Sequence, residues 1–160
     1  ILDSCYYCST MLDTFMILSA KYLYLIIIFI AIFFFIKEKT LRRSMAVACA
    51  FILVLVFIFS QIASKAYYNP RPFMVEHFTP LISHAANNGF PSDHSLISFA
   101  FASIVFLFNK KLGFVLFLLS FLVGLSRVYV GVHYPIDILG SFLICIIVAK
   151  IYATIASWKK

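Results

Sequence analysis

The stretches Tyr22–Ile36 (YLYLIIIFIAIFFFI) and Ser44–Ser64 (SMAVACAFILVLVFIFSQIAS) contain no charged residue, and they decide the fold. A helix needs about 20 apolar residues to cross a hydrocarbon core about 30 Å thick, and these runs approach or reach that length. The remainder of the chain agrees. Of its 160 residues, 64% are hydrophobic, 18% aromatic and only 12% charged, whereas a soluble globular domain averages roughly 45–50% apolar and about 25% charged. A soluble domain is excluded. Because lipid cannot satisfy free backbone polar groups, the spans must be helical. The expected fold is therefore all-α, an integral membrane bundle of about five to six helices. A single domain over residues 1–160 is expected, with spans at about 11–36, 44–64, 92–108, 112–126 and 135–158. The Phe33-Phe34-Phe35 run reads as lipid-facing bulk, Lys21 as a snorkelling side chain and Trp158 as an interfacial anchor.

The net charge of +7 is informative through its placement. Lys37, Lys39, Arg42 and Arg43 fall in one short connection, Lys110 and Lys111 in a second, and Lys159 and Lys160 at the end of the chain. The bias of Lys and Arg toward short cytoplasmic loops puts these three places inside, with the N-terminus and the other two connections outside. Nucleic-acid binding is not expected. The first ten residues carry no positive n-region, so no secretory leader is read there. Cys5-x-x-Cys8 lacks the two further ligands a zinc site needs, and Cys49 and Cys145 lie in apolar runs, so no cysteine is assigned a function.

Two connections differ from the rest, Lys65 to Pro91 and Arg127 to Tyr134. Every proline and every histidine of the chain lies in them or at their edges. In Phe90-Pro91-Ser92-Asp93-His94-Ser95, Ser92 reads as an N-cap, which would offer a helix N-terminus, a ready anion site, with His94 in its first turn. In Ser126-Arg127-Val128-Tyr129-Val130-Gly131-Val132-His133-Tyr134-Pro135-Ile136-Asp137, Pro135 suits the first helical position, and Asp137 in the first turn can reach His133. A carboxylate on one ring nitrogen fixes the tautomer and frees the other nitrogen for attack. In Lys65-Ala66-Tyr67-Tyr68-Asn69-Pro70-Arg71-Pro72, Arg71 is held between two prolines on extended backbone. With Arg127, and Lys65 assisting, it would fork around a dianion. Such a set suits phosphoryl transfer: arginines neutralise the phosphoryl oxygens, one histidine attacks, the other protonates the leaving oxygen, and water hydrolyses the phosphohistidine. No metal or other cofactor is called for. Glu76, His77 and His84 read as loop or interfacial residues, one of which could meet the second phosphate of a diphosphate, and Asn87 and Asn88 read as turn formers.

These segments resemble the signature of the type 2 phosphatidic acid phosphatase family: Lys-x6-Arg-Pro, then Pro-Ser-Gly-His, then Ser-Arg-x5-His-x3-Asp. The third motif matches in full at Ser126, Arg127, His133 and Asp137. The resemblance implies His133 as nucleophile, Asp137 as its orienting partner, His94 as general acid, and Arg71, Arg127, Ser92 and Lys65 as phosphate-binding groups. Two positions depart from the pattern. Five residues separate Lys65 from Arg71, so the family's lysine position falls on Ser64, and Asp93 replaces the usual glycine beside the phosphate site. The Pro-Ser-Asp-His form, with Pro70-Arg71-Pro72-Phe73, His84-Ala85-Ala86 and Gly131-Val132-His133-Tyr134-Pro135, is similar to the bacitracin-resistance branch of that family. That branch implies a bacterial cell-membrane undecaprenyl-diphosphate phosphatase that recycles the cell-wall lipid carrier on the outer side. Its partners would be a polyprenyl diphosphate lipid and the bilayer, with no protein partner. Alternatives are a phosphatidic acid or phosphatidylglycerophosphate phosphatase of the same family and, in another class, a small anion or lipid transporter.

Overall fold

The computed structural model describes the backbone of residues 2–158 and the side chains of residues 10–157. Over that range the chain forms α1 (Leu2–Lys37), α2 (Arg42–Ala66), the single turn α3 (Pro72–Val75), α4 (Asp93–Phe108), α5 (Lys110–Tyr129) and α6 (Pro135–Trp158). The protein is an all-helical membrane bundle of five long helices and one short one. Four helices are long and apolar enough to span a bilayer, and α4, with 16 residues, is shorter. At 1.5 Å per residue α4 extends about 24 Å, less than a full hydrocarbon core. It nevertheless forms the axis of the bundle, packing against α1, α2, α5 and α6. Ser98, Ala100, Ala102 and Ser103 on α4 are buried and small, which lets the neighbouring backbones approach closely.

Two apolar clusters flank α4. On one side Ile52 and Val56 of α2 meet Phe99 and Ile104 of α4 and Cys145 and Val148 of α6. On the other, Ile27 and Phe34 of α1 meet Ala102 and Val105 of α4 and Leu116 and Val123 of α5. Phe34 is thus core, while Phe33 is 53% exposed. The lipid-facing reading of the Phe33–Phe35 run fails at its middle residue, because consecutive helical positions point about 100° apart and only part of the run can face lipid. Large apolar side chains also line the outside of the bundle, among them Phe29, Phe57, Phe114 and Leu143. That is the pattern of helices solvated by acyl chains, not by water.

The ends of the bundle differ in chemistry. At one end the α1–α2 connection meets the α4–α5 junction and the last turns of α6. Tyr152 Oη approaches Ser44 O at 3.5 Å, and Leu41, Phe108 and Tyr152 line a common cavity. The basic residues here serve helix ends and rings: Arg42 donates to Ile36 O at 3.0 Å and Lys110 lies 4.2 Å over the Phe106 ring. Lys159 and Lys160 lie outside the described residues, as do the side chains of Cys5, Cys8 and Trp158. Cys145 is buried with Sγ 3.3 Å from Leu96 O, and Cys49 is half-buried, both as packing residues.

The opposite end carries the two His- and Pro-bearing connections. The longer one is anchored by a small apolar cluster of Ala20, Ile82, Val130 and Val132, and by Leu81 N donating to Val130 O at 3.0 Å. Gly131 closes α5 in the left-handed region at φ 81°, where a Cβ would also lie 2.5 Å from the Phe78 ring.

Candidate active site

At this end a buried polar chain crosses the bundle. Pro135 opens α6 and sets Asp137 in its first turn, four residues after His133. Asp137 is fully buried, and His133, Arg71 and Arg127 are 3%, 3% and 2% exposed. Asp137 Oδ2 accepts from His133 Nδ1 at 3.1 Å and from Tyr134 N at 2.9 Å, and Oδ1 accepts from Asn69 Nδ2 at 2.8 Å. On the other side of the imidazole, Arg71 Nη1 lies 3.1 Å from His133 Nε2. The tautomer follows from the partners. A carboxylate only accepts, so Nδ1 carries the proton; a guanidinium only donates, so Nε2 presents its lone pair. Burial, opposed by the Asp137 hydrogen bond and aided by Arg71, holds the His133 pKa below its ordinary value of 6.5. His133 is a neutral imidazole whose free nitrogen faces a cation.

Arg71 sits on extended backbone (φ −65°, ψ 151°) between its prolines. Its guanidinium is fixed in place: Nε donates to Asn87 Oδ1 at 2.9 Å, Nη1 to Val132 O at 2.9 Å, and Nη2 reaches Asn88 O at 3.4 Å. Burial lowers its pKa, a shift opposed by Asp137 and Asp93, and it stays a cation at any physiological pH.

Arg127 is the complementary case. Among the described residues only Nη1 has a partner, Ala20 O at 3.5 Å, while the buried Nε and Nη2 have none. Ser92 adds a third unspent group. Its backbone caps α4, but its side chain makes no capping bond and Oγ is buried without a partner among the described residues. The expected Ser92 cap is thus a backbone cap only. Its carbonyl accepts from Leu96 N and Ser141 Oγ, which fixes the residue without using its hydroxyl. Buried donors without acceptors cost free energy unless an anion completes them. His94, in the first turn of α4, packs edge-on against Tyr24 of α1 with ring centroids 4.6 Å apart, within electrostatic reach of Arg127, His133, His84 and Arg71.

The structure brings together His133, Asp137, Arg71, Arg127 and, through shared electrostatics, His94. It does not bring in Lys65, which is exposed in the last turn of α2 and has no hydrogen bond or ion pair among the described residues. The preceding residue, Ser64, is tied instead to Asn88 Nδ2 through its carbonyl at 2.9 Å and its hydroxyl at 3.1 Å. Asp93 is exposed and lines a polar cavity of about 230 Å3 with Gln61, Ser64 and Asn88. Ser126 spends its hydroxyl on Val123 O at 2.7 Å. Glu76 accepts from Tyr134 Oη at 3.2 Å.

Three residues do more than the sequence reading gave them. Asn69 orients the buried carboxylate, and Asn87 holds Arg71. Asn88 gathers Ser64, Tyr67, Asn69 and Phe90 around its amide group. The signal available for Asn69 was its place two residues before Arg71. Nothing in the Asn87-Asn88-Gly89 run separates a scaffold from a turn. Gly89 lies against this scaffold, where a Cβ would stand 3.1 Å from Asp137 Oδ2.

A buried imidazole whose Nε2 faces a fixed guanidinium, with a second arginine of unspent donors in electrostatic reach at one end of a lipid-solvated bundle, defines the class of a membrane phosphoryl-transfer protein. The chain belongs to the PAP2 superfamily, whose model matches residues 45–160, and it is a multi-pass membrane lipid phosphatase. Among curated proteins it is similar to undecaprenyl-diphosphatase BcrC of Bacillus subtilis, 29% identical over 90% of this chain and 75% of that protein. It is also 38% identical to the bacitracin transport permease protein BcrC of Bacillus licheniformis, over 58% of this chain and 46% of that one. Among solved structures, Aquifex aeolicus LpxE superposes with a TM-score of 0.69 at 30% identity, covering 90% of this chain and 86% of that one.

Proposed function

We propose that the protein hydrolyses undecaprenyl diphosphate to undecaprenyl phosphate and inorganic phosphate through a phosphohistidine on His133. The observation that carries the chemistry is the Asn69–Asp137–His133–Arg71 chain, with the unspent donors of Arg127 and Ser92 beside it. The terminal phosphoryl group would lie against Arg127 and Ser92 and draw the Arg71 N–H away from His133 Nε2. Nε2 then attacks phosphorus, the bond to the bridging oxygen breaks, and undecaprenyl phosphate leaves with that electron pair, taking a proton from His94 where one is needed. Water next attacks the phosphohistidine, the P–N bond returns its electrons to Nε2, and His94 accepts the proton. Two guanidinium groups supply the charge that a metal supplies elsewhere, so the reaction is metal-independent on this reading. Lys65 and Asp93 remain proposed phosphate-binding groups, Lys65 as a displaced substitute for the lysine of the family pattern.

Similarity to BcrC over 90% of the chain supports the polyprenyl diphosphate substrate. The basic connections at the end of the bundle opposite the site support an active site facing the outer side. Purified protein in detergent with EDTA should release phosphate from undecaprenyl diphosphate faster than from phosphatidic acid. Equal rates would defeat the substrate assignment and favour a monophosphate lipid. Binding without any turnover would favour an anion or lipid transporter.

A further inference from the structure

His84 lies in the long connection before α4, with no role in the relay described above. Three observations make it unusual among the loop residues. Its ring stands 6.1 Å from the His133 ring, edge to face at 76°, a separation that a phosphoryl group seated on His133 Nε2 would bridge. Its one hydrogen-bonding contact is a long one, Nδ1 to Ala85 O at 3.4 Å, so Nε2 has no partner among the described residues. The groups facing it are Arg71 from the connection after α2, Arg127 from α5, His133 from the connection before α6 and His94 from α4. Among the described residues no carboxylate acts on it: Asp137 is turned to Asn69, Tyr134 and His133, and Glu76 holds Tyr134.

We propose that His84 is a third substrate-contacting histidine, which closes over the phosphoryl group held on His133 and hydrogen-bonds one of its oxygens through Nε2. The inference rests on the phosphatase reading above and adds a residue to it. Burial and the surrounding cations push the His84 pKa down to about 4, so in the free site it is a neutral imidazole. A phosphate dianion placed between it and His133 reverses the sign of its surroundings and favours the protonated ring. His84 then becomes a charge-assisted donor only when phosphate is present. Such a contact adds no cationic repulsion to the empty site and still supplies positive charge to the filled one.

Inorganic phosphate, the product that occupies the same pocket, is the probe. Its competitive inhibition of undecaprenyl diphosphate turnover is measured for wild type, His84→Phe, which keeps a ring and removes the nitrogens, and His84→Gln, which keeps a donor. Phosphate inhibition should weaken about tenfold in His84→Phe, the scale of one charge-assisted hydrogen bond, and stay within about threefold of wild type in His84→Gln. Phosphate inhibition of His84→Phe equal to wild type would overturn the assignment, as would equal weakening in both variants, which marks a packing role. His133→Ala separates the two claims. If it keeps turning over, the phosphatase mechanism itself fails. If it is inactive while His84→Phe binds phosphate normally, only the His84 contact fails.

Discussion

Replacing Asp137 with asparagine changes one atom and tests the relay directly. Asp137 accepts three hydrogen bonds in a fully buried setting, from Asn69 Nδ2 at 2.8 Å, Tyr134 N at 2.9 Å and His133 Nδ1 at 3.1 Å. An amide has one acceptor oxygen and one donor nitrogen, so it cannot serve all three donors. If the amide oxygen stays with Asn69, the NH2 group faces Tyr134 N and His133 Nδ1. Nδ1 must then accept, and the proton moves to Nε2, the nitrogen required for attack. Nε2–H would also point at the Arg71 Nη1 hydrogen 3.1 Å away, two donors in opposition. If the amide flips, Asn69 loses its acceptor and two NH2 groups collide. The first orientation withdraws the attacking lone pair, and the flip that would keep it sets two NH2 groups against each other, which disfavours it. Loss of the correct tautomer in a comparable triad costs on the order of 10^4 in turnover, about 5.5 kcal/mol at 1.36 kcal/mol per tenfold. Phosphate release by Asp137→Asn at neutral pH should therefore fall by 10^3 to 10^4, with the apparent affinity for inorganic phosphate changed only a few-fold, since Arg127 and Ser92 are untouched. A variant within tenfold of wild type would refute the claim that Asp137 sets the His133 tautomer.

Other outcomes follow from the same geometry. Arg127→Lys replaces two unspent guanidinium donors by one compact charge and should lower kcat/KM on the order of 10^2 in the phosphate-release assay. Lys65→Ala and Arg71→Ala should both lower the rate, Arg71→Ala by more; a Lys65→Ala variant that keeps nearly the full rate would remove the displaced lysine as a phosphate ligand. Because the His133 pKa is lowered below 6.5, the nucleophile stays deprotonated as pH falls through that value. The acid limb of kcat/KM that belongs to His133 should therefore lie below pH 6.5, and a limb above it would contradict the neutral imidazole. Gly131→Ala places a Cβ in the left-handed region against Phe78 and should destabilise the fold by roughly 1–2 kcal/mol from backbone strain alone, read as a lowered thermal midpoint.

The spans and the motif residues were legible because both depend on short-range patterns. An uncharged run of membrane length has one stable solution in lipid, and the His133–Asp137 contact lies within one helical turn of sequence. The ends of elements were less legible. α5 begins at Lys110 and runs to Tyr129, beyond the expected 112–126, because Asn109 caps its start through Leu112 N at 3.0 Å and the chain bends only at Gly131. The scaffold of the site could not be read at all. Asn69 and Asp137 are 68 positions apart, and Arg71 and Val132 are 61 apart. Only the crossing of two connections over one bundle end brings them together. His84 reads in the sequence as a loop or interfacial residue, with Glu76 and His77 equal candidates for a second phosphate, for the same reason: its neighbour His133 comes from the far connection. Lys65 and Arg71 are near in sequence but belong to different elements, Lys65 to the last turn of α2 and Arg71 to the extended segment that precedes α3.

The central claim is that His133 Nε2 forms the bond to phosphorus. It is tested most directly by phosphate release from undecaprenyl diphosphate by His133→Ala, in detergent with EDTA, beside wild type. The account predicts no release above the uncatalysed background from a variant that still melts cooperatively. Turnover by that variant comparable to wild type would contradict it.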